Sequence, residues 1–185
     1  MDRNAPWNGL DPDPRPSLPL REDPERFFTE MFEQLRWHLV DRAREEALNR
    51  SRSYRNFRVG CAVLAWKHPR IPFISAGLKI YTGANLKPER DSVAVCAETF
   101  ALQQAIEAQA LLVAVVVTGD LQPDGETGHK TPTLHPCGKC RRYWATLSPG
   151  FHLRVPIMTT RLDRDDVFEN HTIEQLITLH KAPVR

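Results

Sequence analysis

The N-terminal part of the chain carries apolar residues at the spacing of an α-helix. Between residues 28 and 47 they recur every three or four positions, which places them on one helical face. These positions are Phe28, Met31, Phe32, Leu35, Leu39, Ala43 and Ala47. Asp23 and Pro24 have the residue types favoured at a helix N-cap and first turn. We therefore predict an amphipathic helix from this pair to about Asn49, with its apolar stripe packed on a sheet.

Four later segments have the pattern of β-strands. In residues 57–66 every second residue from Phe57 is apolar, and the alternate positions carry Ala62, Leu64 and Trp66, so both faces of that strand should be covered. A second strand, at residues 73–81, follows a turn and should pair antiparallel with the first. Residues 112–118 form a continuous, β-branched run that is typical of a buried central strand. Residues 153–159 form the fourth strand, and Pro156 places it at or near an edge of the sheet.

Three further helices are predicted, at about residues 96–110, at about 137–147 and near the C-terminus. The last begins at a possible capping box formed by Thr172 and Gln175, and ends near residue 180. Residues 119–135 form a polar loop of the length often found in active-site lids. The order of helices and strands predicts a three-layer α/β/α sandwich around a mixed sheet.

The composition indicates one folded domain with a tail before it. Residues 1–22 contain five prolines and few large apolar residues, so this stretch should be disordered or extended. The remaining residues, 23–185, are sufficient for a single domain with its own core.

The charge balance argues against two classes of partner. The chain has 25 basic and 23 acidic residues and a net charge of +2, which gives no electrostatic reason to expect binding to nucleic acid or to a membrane surface.

No apolar run approaches the length of a membrane span, and the N-terminus lacks the pattern of a signal peptide. With only four cysteines, the chain is expected to work in a reducing compartment, the cytoplasm.

Two short segments carry the candidate chemistry: Cys96-Ala97-Glu98 and Pro136-Cys137-Gly138-Lys139-Cys140. Zinc in catalytic sites takes three protein ligands and leaves a fourth position for water. The thiolates of Cys96, Cys137 and Cys140 would fill those three positions. Each segment lies where a loop enters a predicted helix, and the partial positive charge of a helix N-terminus favours thiolate over thiol.

Glu98 would then be a proton carrier and not a ligand. Zinc lowers the pKa of a water molecule, and a nearby carboxylate can take up the released proton and return it to a ring nitrogen and a leaving amine. A His- or Cys-x-Glu followed by Pro-Cys-x-x-Cys is the signature of zinc deaminases. Two alternatives remain at this point, a closed structural zinc site and a redox Cys-x-x-Cys pair. The fourth cysteine, Cys61, lies in an apolar alternating run and should face the core.

These segments resemble those of the cytidine deaminase family, specifically its small type with three cysteine ligands. Residues 54–64 resemble the family's first strand, and Thr82-Gly83-Ala84-Asn85 resembles the end of its second. The resemblance implies a mixed five-stranded sheet, one Zn²⁺ per chain and a homo-oligomer, a tetramer or a dimer. It also implies site roles: Phe57 packs against the base, Asn85 bonds a sugar hydroxyl, and the backbone of Ala97 contacts the pyrimidine.

The chain departs from the family pattern at two positions. Lys87 stands where the family has a Glu that grips the sugar, so an acceptor has become a donor-only cation. Thr99 stands where the family usually has an Arg that offsets the charge of the zinc ligands. We expect Arg141 to take over that task as a donor to a zinc thiolate. His135, directly before Pro136, is the loop histidine expected to contact substrate.

The sequence thus predicts a zinc-dependent hydrolase that deaminates cytidine, deoxycytidine or a close cytosine-containing analogue to the uracil form, releasing ammonia. One alternative is a deaminase of a different aminated heterocycle, such as a nucleotide, a free base or a nucleoside antibiotic. Lys87 and the loop at residues 119–135 favour that alternative. Another is a non-catalytic, zinc-stabilised binding protein, and the presence of Glu98 argues against it.

Overall fold

The computed structural model describes residues 24–67, 77–121, 131–146, 154–164 and 166–179. Predictions for the tail at residues 1–22, for residues 73–76 and for most of the loop at residues 119–135 fall outside these residues. The helices are α1 (Pro24–Asn49), α2 (Ala97–Glu107), α3 (Gly138–Thr146) and α4 (Ile173–Leu179). The strands are β1 (Arg52–Ser53), β2 (Val59–Trp66), β3 (Leu78–Ala84), β4 (Leu86–Lys87), β5 (Leu111–Gly119), β6 (Pro156–Arg161) and β7 (Phe168–Thr172).

Five of the strands form one mixed sheet in the order β3-β2-β5-β6-β7. The pairs β3–β2, β2–β5 and β6–β7 are antiparallel, whereas β5 and β6 are parallel. The apolar run predicted as the central strand is β5, in the middle of the sheet, so that prediction is confirmed. Both faces of β2 are buried along its whole length, as the alternating pattern indicated.

Helices cover both faces of the sheet, which confirms the three-layer sandwich. One face packs against α1 through an apolar cluster that includes Leu39, Leu64 and Met158. The other face packs against α2, α3 and α4, through a cluster that includes Leu102, Trp144 and Leu176. Because successive side chains of β2 point to opposite faces, this one strand contributes to both clusters.

Two glycines allow helices to lie close to the sheet. A Cβ atom at Gly60 would lie 1.9 Å from the backbone oxygen of Ala43 in α1, and one at Gly83 would lie 2.5 Å from that of Ala97 in α2. No side chain fits at such distances. The contact at Gly83 sets the position of the first turn of α2, which carries Glu98.

Replacement of Gly60 by Ala should therefore destabilise the fold strongly. The methyl group would force α1 away from β2, and we expect the free energy of unfolding to fall by about 3 kcal/mol or more. Chemical denaturation followed by circular dichroism would measure it. A loss below about 1 kcal/mol would show that α1 adjusts easily to the added methyl group.

The structure also corrects some boundaries. The edge strand is β7, which the sequence analysis did not predict, and β6 with Pro156 lies next to it, so the placement of that strand near an edge is confirmed. Proline is tolerated there because it is the first residue of the strand. Helix α2 ends before residue 110 because Gln109 adopts a left-handed conformation, with φ of 54°. Residues 52–53, which the sequence analysis did not assign to any strand, pair in parallel with residues 86–87 as a two-stranded sheet.

The predicted capping box at the start of α4 is confirmed. The backbone N–H of Gln175 donates to Thr172 Oγ1 at 3.2 Å, and the N–H of Thr172 donates to Gln175 Oε1 at 2.7 Å. Within the described ranges, none of the helices has the length and apolar character needed to cross a membrane.

Candidate active site

Two helix N-termini bring the three predicted cysteine ligands together. Cys96 is the N-cap of α2, with extended backbone angles, and Cys137 directly precedes α3. The Sγ atom of Cys137 lies 3.5 Å from that of Cys96 and 3.6 Å from that of Cys140. All three sulfur atoms lie within 4.8 Å of one another.

This triangle of sulfur atoms fits a zinc ion. Tetrahedral zinc with Zn–S bonds of about 2.3 Å holds its sulfur ligands about 3.8 Å apart, close to the separations seen here. Hydrogen bonds from Cys140 and Cys96 hold the pKa of Cys137 well below its ordinary value. The same contacts raise the pKa of Cys140, so zinc binding must release protons from this group.

Glu98 lies in the first turn of α2 and faces the same site. Its side chain is nearly buried, with only 5% of the residue exposed, and it lines the cavity described below together with Cys96 and Cys137. Burial raises the pKa of Glu98 to about 7. Backbone hydrogen bonds act in the opposite direction but are outweighed by the burial. A carboxyl group with a pKa near neutrality is suited to accept and return a proton at physiological pH.

The sulfur of Cys140 has a neighbour that the sequence reading did not identify. Thr99 Oγ1 lies 3.5 Å from Cys140 Sγ. When Cys140 is a thiolate, only the hydroxyl can donate. Arg141 was expected to donate to a zinc thiolate. Among the contacts of the described residues, it donates to the carbonyl oxygen of Pro136. The guanidinium still lies near enough to Cys137 and Cys140 for their negative charge to act on it.

We therefore expect the Thr99→Val variant to hold zinc more weakly. Loss of a donor to a metal ligand typically costs about 10- to 100-fold in metal affinity. Competition with a chromogenic chelator would measure the change. Thr99→Ser keeps the hydroxyl and should retain most of the affinity, whereas equal losses in the two variants would rule out the hydroxyl as the cause.

The sulfur triangle and Glu98 open onto a cavity of about 580 Å³. This volume is in the range of small-molecule binding sites. Seven of the ten site residues predicted from the sequence line it: Phe57, Asn85, Lys87, Cys96, Glu98, His135 and Cys137. The other three, Ala97, Cys140 and Arg141, are not part of its wall.

The side chain of Asn85 supports the wall that carries Phe57. Its Oδ1 atom accepts hydrogen bonds from Ser51 Oγ at 2.6 Å and from the N–H of Val59 at 2.8 Å. Its Nδ2 atom donates to the carbonyl oxygen of Phe57 at 2.8 Å. One N–H of the amide is left for a ligand, so Asn85 can meet a substrate only as a donor.

Lys87 lies in the cavity wall beside an aromatic ring. Its Nζ atom is 5.4 Å from the ring centroid of Tyr54, and the guanidinium carbon of Arg55 is also 5.4 Å from that centroid. Tyr54 and Arg55 line the cavity as well. This side of the cavity thus presents two cations around one ring, an arrangement suited to an anionic group.

Another part of the cavity wall is held by an ion pair that sequence reasoning missed. Asp120 accepts two hydrogen bonds from the guanidinium of Arg58, both at 3.1 Å, and one from its backbone N–H at 2.8 Å. These contacts join the segment before β2 to the end of β5. No local pattern in the sequence indicates this contact, because Arg58 and Asp120 are 62 positions apart.

His135 is where the sequence placed it, in the cavity wall next to Pro136. Its Nε2 atom lies 3.1 Å from Glu169 Oε2 on β7. Burial lowers the pKa of His135, and Glu169 acts in the opposite direction. Because β7 was not predicted, Glu169 could not be assigned to this region from the sequence.

Comparisons with known proteins agree with this geometry. The model of the cytidine and deoxycytidylate deaminase zinc-binding region matches residues 36–149, which include both cysteine segments. The fold is similar to that of cytidine deaminase from Burkholderia pseudomallei, with a TM-score of 0.54 and 21% identity, covering 75% of this chain and 93% of that one. For cytidine deaminase from Mycobacterium leprae the TM-score is 0.50 and the identity 22%, covering 76% of this chain and 94% of that one. No curated protein matches the chain significantly.

Proposed function

Since this chain belongs to the cytidine and deoxycytidylate deaminase family, as its match over residues 36–149 shows, we propose that it is a zinc-dependent hydrolytic deaminase. We propose that it converts cytidine, deoxycytidine or a close cytosine-containing analogue to the uracil form and releases ammonia. The zinc ligands would be Cys96, Cys137 and Cys140.

Zinc held by these residues would supply Lewis-acid activation of a water molecule. Glu98 would accept a proton from the attacking water and pass it to the ring nitrogen next to the amine-bearing carbon, while the water oxygen bonds to that carbon. Glu98 would then carry the second proton of that water to the amine, whose bond to the carbon breaks as it leaves as ammonia. Phe57 packs against the base, and the free N–H of Asn85 donates to a sugar oxygen. The ring of His135, which lines the cavity, would also contact the pyrimidine. The resemblance assigns a further contact to the backbone of Ala97, which lies beside Glu98 but outside the cavity wall.

The observation that carries this proposal is the position of Glu98. Its carboxyl group is buried beside the three sulfur atoms, lines a cavity of nucleoside size and has a pKa of about 7. A structural zinc site needs no such group, because it is closed by four protein ligands. A redox Cys-x-x-Cys pair has no use for a third cysteine and a buried acid.

The proposal is tested by ammonia release from purified, zinc-loaded protein. The panel contains cytidine, deoxycytidine, cytidine monophosphate, cytosine and a cytosine-bearing antibiotic. We expect turnover of at least one of them, and we expect it to depend on Glu98. Absence of Glu98-dependent ammonia release on the whole panel would overturn the assignment.

A second candidate substrate class is supported by Lys87. The family's sugar-binding Glu is replaced here by a cation that lies in the cavity wall with Tyr54 and Arg55. A lysine can pair with a phosphate or carboxylate but cannot accept a hydrogen bond from a sugar hydroxyl. These residues favour a cytosine compound that carries an anionic group, such as a nucleotide.

The contribution of Lys87 can be measured directly. We expect Lys87→Ala to lower kcat/KM for cytidine monophosphate by about 10- to 100-fold, since a hydrogen bond to a charged group contributes about 1.5–3 kcal/mol. For cytidine the decrease in kcat/KM should stay below about threefold, because cytidine has no anionic group that Lys87 could bind. The control is Lys79→Ala, which removes an exposed lysine outside the cavity. Equal effects of Lys87→Ala on both substrates would contradict the anion-binding role.

The proposed enzyme acts on a small molecule in the cytoplasm, in nucleoside metabolism such as pyrimidine salvage, and as a homo-oligomer. Exposed apolar side chains on and near α2 support self-association: Leu86, Val93, Phe100 and Ile106. Burial of such side chains against a second copy is favourable. Light scattering on the purified protein would determine whether it is a dimer or a tetramer.

A further inference from the structure

A second group of metal-type ligands lies next to the three-cysteine site. His135, Glu169 and His171 each offer a ligand atom, and these atoms all lie within 4.8 Å of one another. Glu169 and His171 are two residues apart on β7, so they project from the same face of that strand. We propose that these three residues form a second site for a divalent cation, distinct from the site of the three cysteines.

The distances within the triad suit a single ion. His135 Nε2 lies 3.1 Å from one oxygen of Glu169, and His171 Nε2 lies 3.7 Å from the other. Ligand atoms about 2.1 Å from a tetrahedral zinc ion lie about 3.4 Å apart, between these two values. The two imidazole rings meet nearly edge-on, with centroids 5.2 Å apart, so their nitrogens converge on the same carboxylate.

The ring of His171 provides a second, independent observation that favours a bound cation. Its Nε2 atom is buried and has no hydrogen-bond partner among the described residues. The distance to Glu169 is too long for a hydrogen bond. A buried, unpaired nitrogen is costly, and coordination of a cation would use its lone pair.

The carboxylate of Glu169 is already held in place. Its Oε2 atom accepts from the backbone N–H of Thr133 at 3.2 Å and from the Thr133 hydroxyl. Thr133 is itself fully buried and hydrogen bonded to Thr159. In metal sites, a carboxylate ligand is commonly held in place by hydrogen bonds from residues that do not bind the ion. These bonds keep the geometry of the site fixed.

The ligand set predicts the kind of ion and its strength of binding. Two imidazoles and a carboxylate suit borderline divalent ions such as Zn²⁺, Co²⁺ or Fe²⁺. Two neutral imidazoles and one carboxylate bring less negative charge to a cation than three thiolates do. Binding should therefore be weaker than zinc binding by three thiolates.

The position of the triad predicts what the ion does. His135 lines the cavity, but Glu169 and His171 do not. The ion would thus lie behind the cavity wall and tie the segment just before Cys137 to the edge strand β7. Its effect should be to hold the ring of His135 in one orientation, and not to take part in chemistry.

The test uses Co²⁺ as the probe on protein whose three-cysteine site already holds Zn²⁺. We expect one equivalent of Co²⁺ to bind, seen by isothermal titration calorimetry, and to give visible d–d absorption without a thiolate-to-cobalt charge-transfer band. Bound Co²⁺ should also raise the Tm. No binding, or a charge-transfer band that shows cobalt on the cysteines, would overturn the proposal.

Four variants locate the bound ion. Glu169→Gln and His171→Gln each remove one ligand and should weaken Co²⁺ binding at least about 100-fold. The matched controls, Glu174→Gln on α4 and His38→Gln on α1, should bind Co²⁺ like the original protein. If Glu169→Gln fails to fold, His171→Gln decides, because it leaves the bonds between Glu169 and Thr133 intact. Equal binding by all folded variants would overturn the proposal.

Discussion

Replacing Glu98 by Gln is expected to lower kcat/KM for deamination by about 10³- to 10⁴-fold, the largest effect of any single change in this chain that leaves the metal ligands in place. The amide has nearly the shape of the carboxyl group but cannot take up a proton from water. Zinc content should stay unchanged, since Glu98 is not one of the three sulfur ligands. Ammonia release and metal analysis on the same protein sample measure both quantities.

The control for this experiment lies on the same helix. Glu107 is exposed at the end of α2, far along the helix from the cysteines, and Glu107→Gln should retain full activity. If Glu98→Gln lost both zinc and its folded structure, Glu98 would be a structural residue. If it kept its activity, the proton would have another carrier.

Replacing Cys137 by Ala is expected to abolish stable zinc binding and, with it, turnover. The sulfur of Cys137 lies 3.5 Å from that of Cys96 and 3.6 Å from that of Cys140, and the residue directly precedes α3, so its loss removes one of the three sulfur ligands. Structural zinc sites bind their ion with apparent free energies of about 10–16 kcal/mol. We expect the variant to lose the ion to a chelator that leaves the original protein loaded.

Cys61→Ala is the matched control for that variant. Cys61 is fully buried in β2 and belongs to the core cluster, as its place in the apolar run indicated. Its replacement leaves a small cavity and should cost about 1–2 kcal/mol of stability. It should keep zinc and activity. Loss of zinc from both variants alike would mean that general destabilisation, and not ligand loss, is the cause.

Much of the fold was predictable because it depends on local patterns. The period of apolar residues identified α1, and the uninterrupted β-branched run identified β5 as the central strand. Strand β7 was missed because its sequence, Phe-Glu-Asn-His-Thr, is short and polar, as suits an edge strand with little apolar surface to bury. Four strands were located by pattern, and the fifth followed only from the family resemblance.

The cysteine segments were recognisable for a related reason. Their spacing is a property of one helical turn, so Cys137 and Cys140 converge without help from the rest of the fold. Glu98 follows Cys96 by two positions. Because Cys96 is the N-cap of α2 and Glu98 lies in its first turn, both residues lie at the N-terminus of that helix. The family match over residues 36–149 confirms the resemblance that these segments carried.

The sequence by itself thus determined the layers of the fold, because they follow from local periodicity. It also identified the three candidate zinc ligands and the carboxyl group beside them, because each of the two cysteine segments is a recognisable local motif, although the segments are 41 positions apart. Only the tertiary structure showed the contact of Thr99 with Cys140 and the convergence of His135 with Glu169 and His171. Those contacts join segments more than 30 positions apart. They depend on strand register and on how closely helices pack on the sheet, and no local pattern encodes either.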